Sequence, residues 1–277
     1  TLFDIKNDEY QKRIQDIACG NARLAVMASK VVVETNQIDS IQNVTSLYDD
    51  YFGQNDNVRA VIENERLMAA ACAISFFRRV DKLNESHMTW IQQSFGIQIE
   101  EFWELVGVLH KNELVDLYEN EVVRISDQVL STYLFYVSVF DRKIIPFSII
   151  VNAFYPDFKR TIVDSLNPVI NAFDHKKIVA DIRNEVKGIF DDISQNGNIE
   201  QSIEFLNSFW FALPTESLAF ANKFISEIPN KEIDWANETF EESKGEPGDS
   251  SLVSLLNSFR YYGEVEFKMS FDLLLKY

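Results

Sequence analysis

Glycine and proline are scarce, at 9 and 6 in 277 residues. An all-β chain needs a tight turn roughly every eight to twelve residues, and those turns draw on both. Their shortage excludes a sandwich or barrel and favours long helices with short joints. Positive charge is also short: 26 Lys and Arg stand against 43 Asp and Glu, a net charge of −17. Phosphate backbones and anionic lipid surfaces both attract cations, so the balance disfavours nucleic acid and membrane surfaces as partners. No run approaches the roughly 20 apolar residues of a membrane span. With two cysteines, Cys19 and Cys72, there is no disulfide framework, and both fall in apolar helical patterns that predict buried thiols.

Catalytic signatures are missing as well. There is no G-x-x-x-x-G-K-[ST] or G-x-G-x-x-G phosphate loop and no G-x-S-x-G nucleophile turn. His87, His110 and His175 lie at neither three nor four residues from one another or from a cysteine, so no zinc spacing exists. The adjacent pairs Asp49-Asp50, Glu100-Glu101, Asp191-Asp192 and Glu241-Glu242 point to different helix faces and read as solvated surface. The chain is therefore expected to be no enzyme by itself and to hold no metal or cofactor of its own. The start, Thr1-Leu2-Phe3-Asp4, lacks both an initiator Met and the basic region of a signal peptide. That predicts a cytoplasmic protein of which this is an internal stretch.

What the chain has in quantity is phenylalanine, 22 residues, within a 46% hydrophobic composition. Large rings let many helices pack with few residues. The periodicity predicts a mainly all-α fold in three parts. Residues 1–55 read as helices with a linker: one over 7–18 capped by Asn7 or Asp8, Gly20 as its stop, and Asn21 capping a helix that reaches Val31-Val32-Val33, where a strand competes. A helix over 40–52 follows. Residues 56–125 read as a winged-helix-like domain. It has a long helix over 57–80, a short one from Met88 to Phe95 stopped by Gly96, a third over 98–111, then two strands around a turn at Glu119-Asn120. Residues 126–277 read as a helical-repeat array. Ser126 or Asp127 caps its first helix, Pro146 starts the next, Pro156 ends it, and Pro168 is a kink site. Leu206-Asn207-Ser208-Phe209 recurs as Leu256-Asn257-Ser258-Phe259, each before a breaker, which predicts stacked helical hairpins. Residues 229–250, rich in breakers, read as the weakest in order.

If the middle part is a winged helix, 98–111 is its recognition helix. It carries Glu100, Glu101 and Glu104 against Lys111 alone, the wrong sign for a major groove. Arg78, Arg79 and Lys82 form the one basic cluster that could touch DNA. The balance favours a protein partner, and the composition is compatible with an oligomer.

The sharpest motif is Ile17-Ala18-Cys19-Gly20-Asn21-Ala22-Arg23-Leu24-Ala25. It resembles the lid motif of AAA+ and STAND nucleotide-binding proteins, commonly G-N-P-R or G-D-A-R, with Ala22 standing where the first form has Pro. The runs His110 to Tyr118 and Arg124 to Leu130 look like STAND-type bacterial defence ATPases. The resemblance covers roughly residues 1–140. It implies a lid, a winged helix and a helical array downstream of an ATPase domain held in cis, serving signal transduction or antiviral defence. It also implies that Gly20, Asn21 and Arg23 sense nucleotide when that core is attached, with ATP bound by the full-length parent. Walker A, Walker B and sensor 1 are absent from these residues, so hydrolysis would belong to that core. The alternatives are a stand-alone helical-repeat adaptor and a winged-helix DNA-binding regulator.

Overall fold

The computed structural model describes residues 3–18, 22–37, 41, 43–53, 55–155, 157–228 and 251–277. It is mainly helical, with one small three-stranded sheet, and divides into two compact units, Thr1–Ile178 and Val179–Tyr277. The position expected to open the helical array, residue 126, lies inside the first unit. Among the described residues no helix is long and apolar enough to cross a membrane.

The first unit opens with α1 (Asp8–Ala18), α2 (Ala22–Thr35) and α3 (Val44–Gly53). Asn7 caps α1, its Oδ1 accepting the Glu9 and Tyr10 N–H groups at 2.9 and 3.3 Å. Cys19, Gly20 and Asn21, and with them the expected stop and cap, lie outside the described residues. Val31-Val32-Val33 is helical despite its branching. Val31 and Val32 continue the buried stripe of Met27 and Ala28, and burying two Val side chains outweighs a propensity deficit of a few tenths of a kcal/mol each.

The helix expected over 57–80 is two helices, α4 (Asp56–Ile62) and α5 (Glu65–Phe77). Asn64 divides them. Its Oδ1 accepts the Arg66 and Leu67 N–H groups at 3.0 and 3.1 Å, and such a cap is worth about 1 kcal/mol. α5 is buried from Leu67 to Phe76 and forms the axis of the unit. It ends where Arg78 turns left-handed at φ 61°. A strand then appears that the periodicity did not predict, β1 (Val80–Asp81), followed by α6 (Glu85–Ser94) and α7 (Ile99–Lys111). β2 (Val115–Tyr118) and β3 (Val122–Ile125) form the expected hairpin. The sheet is antiparallel in the order β1-β3-β2, with Val80 and Leu117 both opposite Val123. The chain order here is helix, strand, two helices and a hairpin that closes on the first strand.

Three more helices complete this unit: α8 (Gln128–Tyr136), α9 (Phe147–Phe154) and α10 (Lys159–Ala172). α8 continues into a π-turn, Val137–Asp141, closed by the Arg142 N–H on Val137 O at 2.8 Å. There the fully buried Ser138 donates to Leu134 O at 2.7 Å. Pro146 is the N-cap of α9, and Pro168 lies inside α10. α8 and α10 pack on α5, and the rings of Phe77, Trp90, Phe154 and Phe158 interlock with centroids 4.6 to 6.1 Å apart. Cys72 is fully buried, which pushes its thiol pKa up to about 12.

α11 (His175–Asn196) starts in the first unit and continues into the second, which from Val179 on also holds α12 (Ile199–Phe209), α13 (Pro214–Glu227), α14 (Leu252–Asn257) with a 3-10 turn (Ser258–Tyr261), and α15 (Glu264–Leu274). Residues 229–250 lie outside the description. The four-residue repeat marks two hairpins in one register. Leu206 and Phe209 are buried, as are Leu256 and Phe259. Ser208 Oγ donates to Glu204 O at 3.3 Å, and Ser258 Oγ donates to Ser254 O at 3.1 Å. Leu213 is the N-cap of α13 and Gly263 that of α15, again fifty apart. α12 packs on α14 and α13 on α15, so like stacks on like. Asn207 Nδ2 ties the copies together through Ser251 O at 3.2 Å.

Candidate functional site

Arg23 lies in the first turn of α2, and its guanidinium forms an ion pair with the carboxylate of Asp127. Asp127 is the N-cap of α8, directly after β3. Its Oδ1 accepts the Val129 and Leu130 N–H groups at 2.7 and 3.3 Å. The pair thus joins the N-terminal helices to the point where the sheet passes into α8. Arg23 is largely open to solvent, 57% exposed, while Asp127 is 17% exposed. The carboxylate is thus fixed by its cap bonds, and the guanidinium meets it from the solvent side.

Arg23 lines a cleft of about 1190 Å³ walled by the end of α1, the starts of α2, α3 and α8, and the end of α10. Three cations, Arg13, Arg23 and Lys177, reach this cleft against two acids, Asp16 and Asp174. With Asp127, the partner of Arg23, the acids also number three, so the cleft is balanced in a chain whose net charge is −17. Arg13 Nε donates to Ile41 O at 3.0 Å, which anchors one cation at the cleft wall. Val44, Thr45 and Ser46, the first turn of α3, also line it, and their side of the helix carries the positive end of the dipole. Asn43 Oδ1 takes one of these amides, that of Ser46, at 2.8 Å. The floor is aromatic: Tyr136 stacks on Phe173 at 3.7 Å, and Tyr48 meets Phe173 edge-on at 5.2 Å. Burial pushes the Tyr48 hydroxyl pKa up to about 12, so it stays protonated as a neutral wall.

The basic residues named for DNA are placed apart from this cleft. Arg78 reaches α10, with Nη2 3.4 Å from Asp164 O. Lys82 lies over the Trp103 ring at 5.4 Å, and Arg79 is exposed. On α7, Glu101 is taken by Arg66 at 2.7 Å through Nε, while Glu100 and Glu104 face solvent. Of the histidines, His87 is stacked on Phe77 at 5.2 Å, and burial lowers its pKa. His110 Nδ1 lies 3.0 Å from Val115 O, and His175 opens α11 in solvent. Among the described residues no three His, Cys, Asp or Glu converge on a metal-sized site.

The family models, the curated proteins and the solved structures contain no match to this chain. The site therefore stands on its own geometry. Arg23 is brought to the cleft; Gly20 and Asn21, named with it, lie outside the described residues. Sequence reasoning missed Asp127 as its partner. The available signal was the cap pattern at Ser126-Asp127, which marks an ordered carboxylate without saying what its second oxygen meets.

Proposed function

We propose that this chain is the non-catalytic, regulatory part of a STAND/AAA+-type signalling NTPase, with α1–α3 as the lid, α5–α7 and the sheet as the winged helix, and the second unit as the start of a partner-binding array. The observation that carries it is the Arg23–Asp127 pair at the rim of a cleft where three cations balance three acids, in an otherwise acidic chain. With the upstream core attached, a nucleotide phosphate would compete with Asp127 for the guanidinium through charge-assisted bonds. Arg13 and Lys177, on the same cleft, would add to its attraction for phosphate. Releasing Asp127 would loosen the lid from the winged helix, and a two-state contact of that kind couples a nucleotide to a distant partner surface. The nucleotide, ATP, belongs to the parent, and the fit rests on these cations alone.

The test is expression of the intact parent gene and an ATPase assay of the wild type against Arg23→Ala. The variant is expected to lose at least about tenfold in kcat, in the range for removal of one charge-stabilising group. Unchanged hydrolysis, or a parent without an upstream phosphate loop, overturns the reading. The second reading, a helical-repeat adaptor with no nucleotide link, is favoured by the fifty-residue register of the second unit. The absence of such a loop would select it.

A further inference from the structure

Among the described residues, α15 packs on one side only. Ser270 and Leu273 are buried, while Val265 and Leu275 are 68% and 72% exposed. Leu275 and Tyr277 continue the helical hydrogen bonding, their N–H groups bonding Phe271 O and Leu273 O at 3.1 Å each. The outward seam is Val265, Lys268, Asp272, Leu275, spaced three, four and three residues, which is the spacing of a helix that pairs with another helix. Phe267, Met269 and Phe271 flank it and are each nearly half exposed. Among the described residues, neither Lys268 nor Asp272 has an ion-pair partner.

The seam is complementary to itself in one orientation. An antiparallel pair of α15 helices, with a two-fold axis level with Ser270, sets residues equidistant from that position opposite one another. Val265 then faces Leu275, and Lys268 faces Asp272. A parallel pair would set Lys268 on Lys268 and Asp272 on Asp272, which repel. We infer that the partner of this face is a second copy of the chain, joined as an antiparallel two-fold dimer through α15. Two-fold interfaces use the same patch on both copies, so self-complementary order is what such an interface requires. The helix is about 20 Å long at its usual rise. That is less surface than a standard interface buries, so the association is weak and concentration-dependent, with Kd in the range of about 1–100 μM.

Sedimentation equilibrium on the whole chain decides it. The wild type is expected to show a reversible monomer–dimer equilibrium. Lys268→Asp and Asp272→Lys, each placing like charges opposite one another twice, are each expected to weaken it by about tenfold or more. An equimolar mixture of the two variants is expected to associate again, because the acidic pair of one meets the basic pair of the other. Val265→Ser with Leu275→Ser should abolish dimers while leaving the helical circular-dichroism signal unchanged. A wild type that stays monomeric to about 200 μM, or a mixture no tighter than either variant alone, overturns the inference.

Discussion

The two oxygens of Asp127 have separate duties. One caps α8 through the Val129 and Leu130 amides, and the carboxylate as a whole carries the charge that meets Arg23. Asparagine preserves the first duty and deletes the second, while alanine deletes both. Asp127→Ala is expected to destabilise the chain by about 1–2 kcal/mol, the usual cost of a lost N-cap. Asp127→Asn is expected to cost at most about 1 kcal/mol, because Arg23 is largely solvent-exposed and such pairs are screened. Urea unfolding followed by circular dichroism separates the two; equal losses would mean that the ion pair, not the cap, holds this corner. Both residues were legible singly, Arg23 from its motif and Asp127 as a cap candidate. Their meeting was not, because more than a hundred residues lie between them and no local pattern encodes that distance.

At the scale of elements, the readings that succeeded were those with a physical stop written into the chain. Asn7 starts α1, and Gly96, at φ 63°, closes the segment after α6. The failures were elements whose cause is tertiary. Asn64 looks like one more polar position in an apolar run, and only its cap bonds show that one helix is two. β1 has two residues, too few for any period, and exists because β3 offers Val123 a second partner strand. The hairpin turn shows a local choice that is not the best available. Glu119 and Asn120 sit at φ 51° and 58°, with the Glu121 N–H closing on Tyr118 O at 2.9 Å. Turns with two positive φ values favour Asn-Gly, because a side chain crowds the left-handed conformation and glycine carries none. Glu119→Asn combined with Asn120→Gly is therefore expected to stabilise the chain by about 1 kcal/mol and raise Tm by about 2–4 °C in a scanning calorimeter. A lower Tm would show that the Glu119 side chain contributes something the turn geometry does not reveal.

At the scale of the whole molecule, composition had already settled the class: few turns, much phenylalanine and an acidic surface leave packed helices as the remaining solution. The four repeated letters share their burial, their serine back-bonds and the distance to the next N-cap, although α12 has 11 residues and α14 has 6. What the letters could not show is that matching residues have unequal surroundings. Asn207 is half-buried and bridges Ile203 O at 3.0 Å to Ser251 O at 3.2 Å, so it ties the first hairpin to the second. Its counterpart fifty residues on, Asn257, is exposed. Asn207→Ala removes the donor to two carbonyls and is expected to cost about 1 kcal/mol. Asn257→Ala is expected to stay within about 0.5 kcal/mol of the wild type. The contrast, measured by urea unfolding on the whole chain, isolates what stacking adds to the same residue at matching positions of the four-letter repeat. Equal effects would mean that the hairpins are held by their apolar seams alone, with Leu206, Phe209, Leu256 and Phe259 carrying the contact and the amide strap contributing nothing.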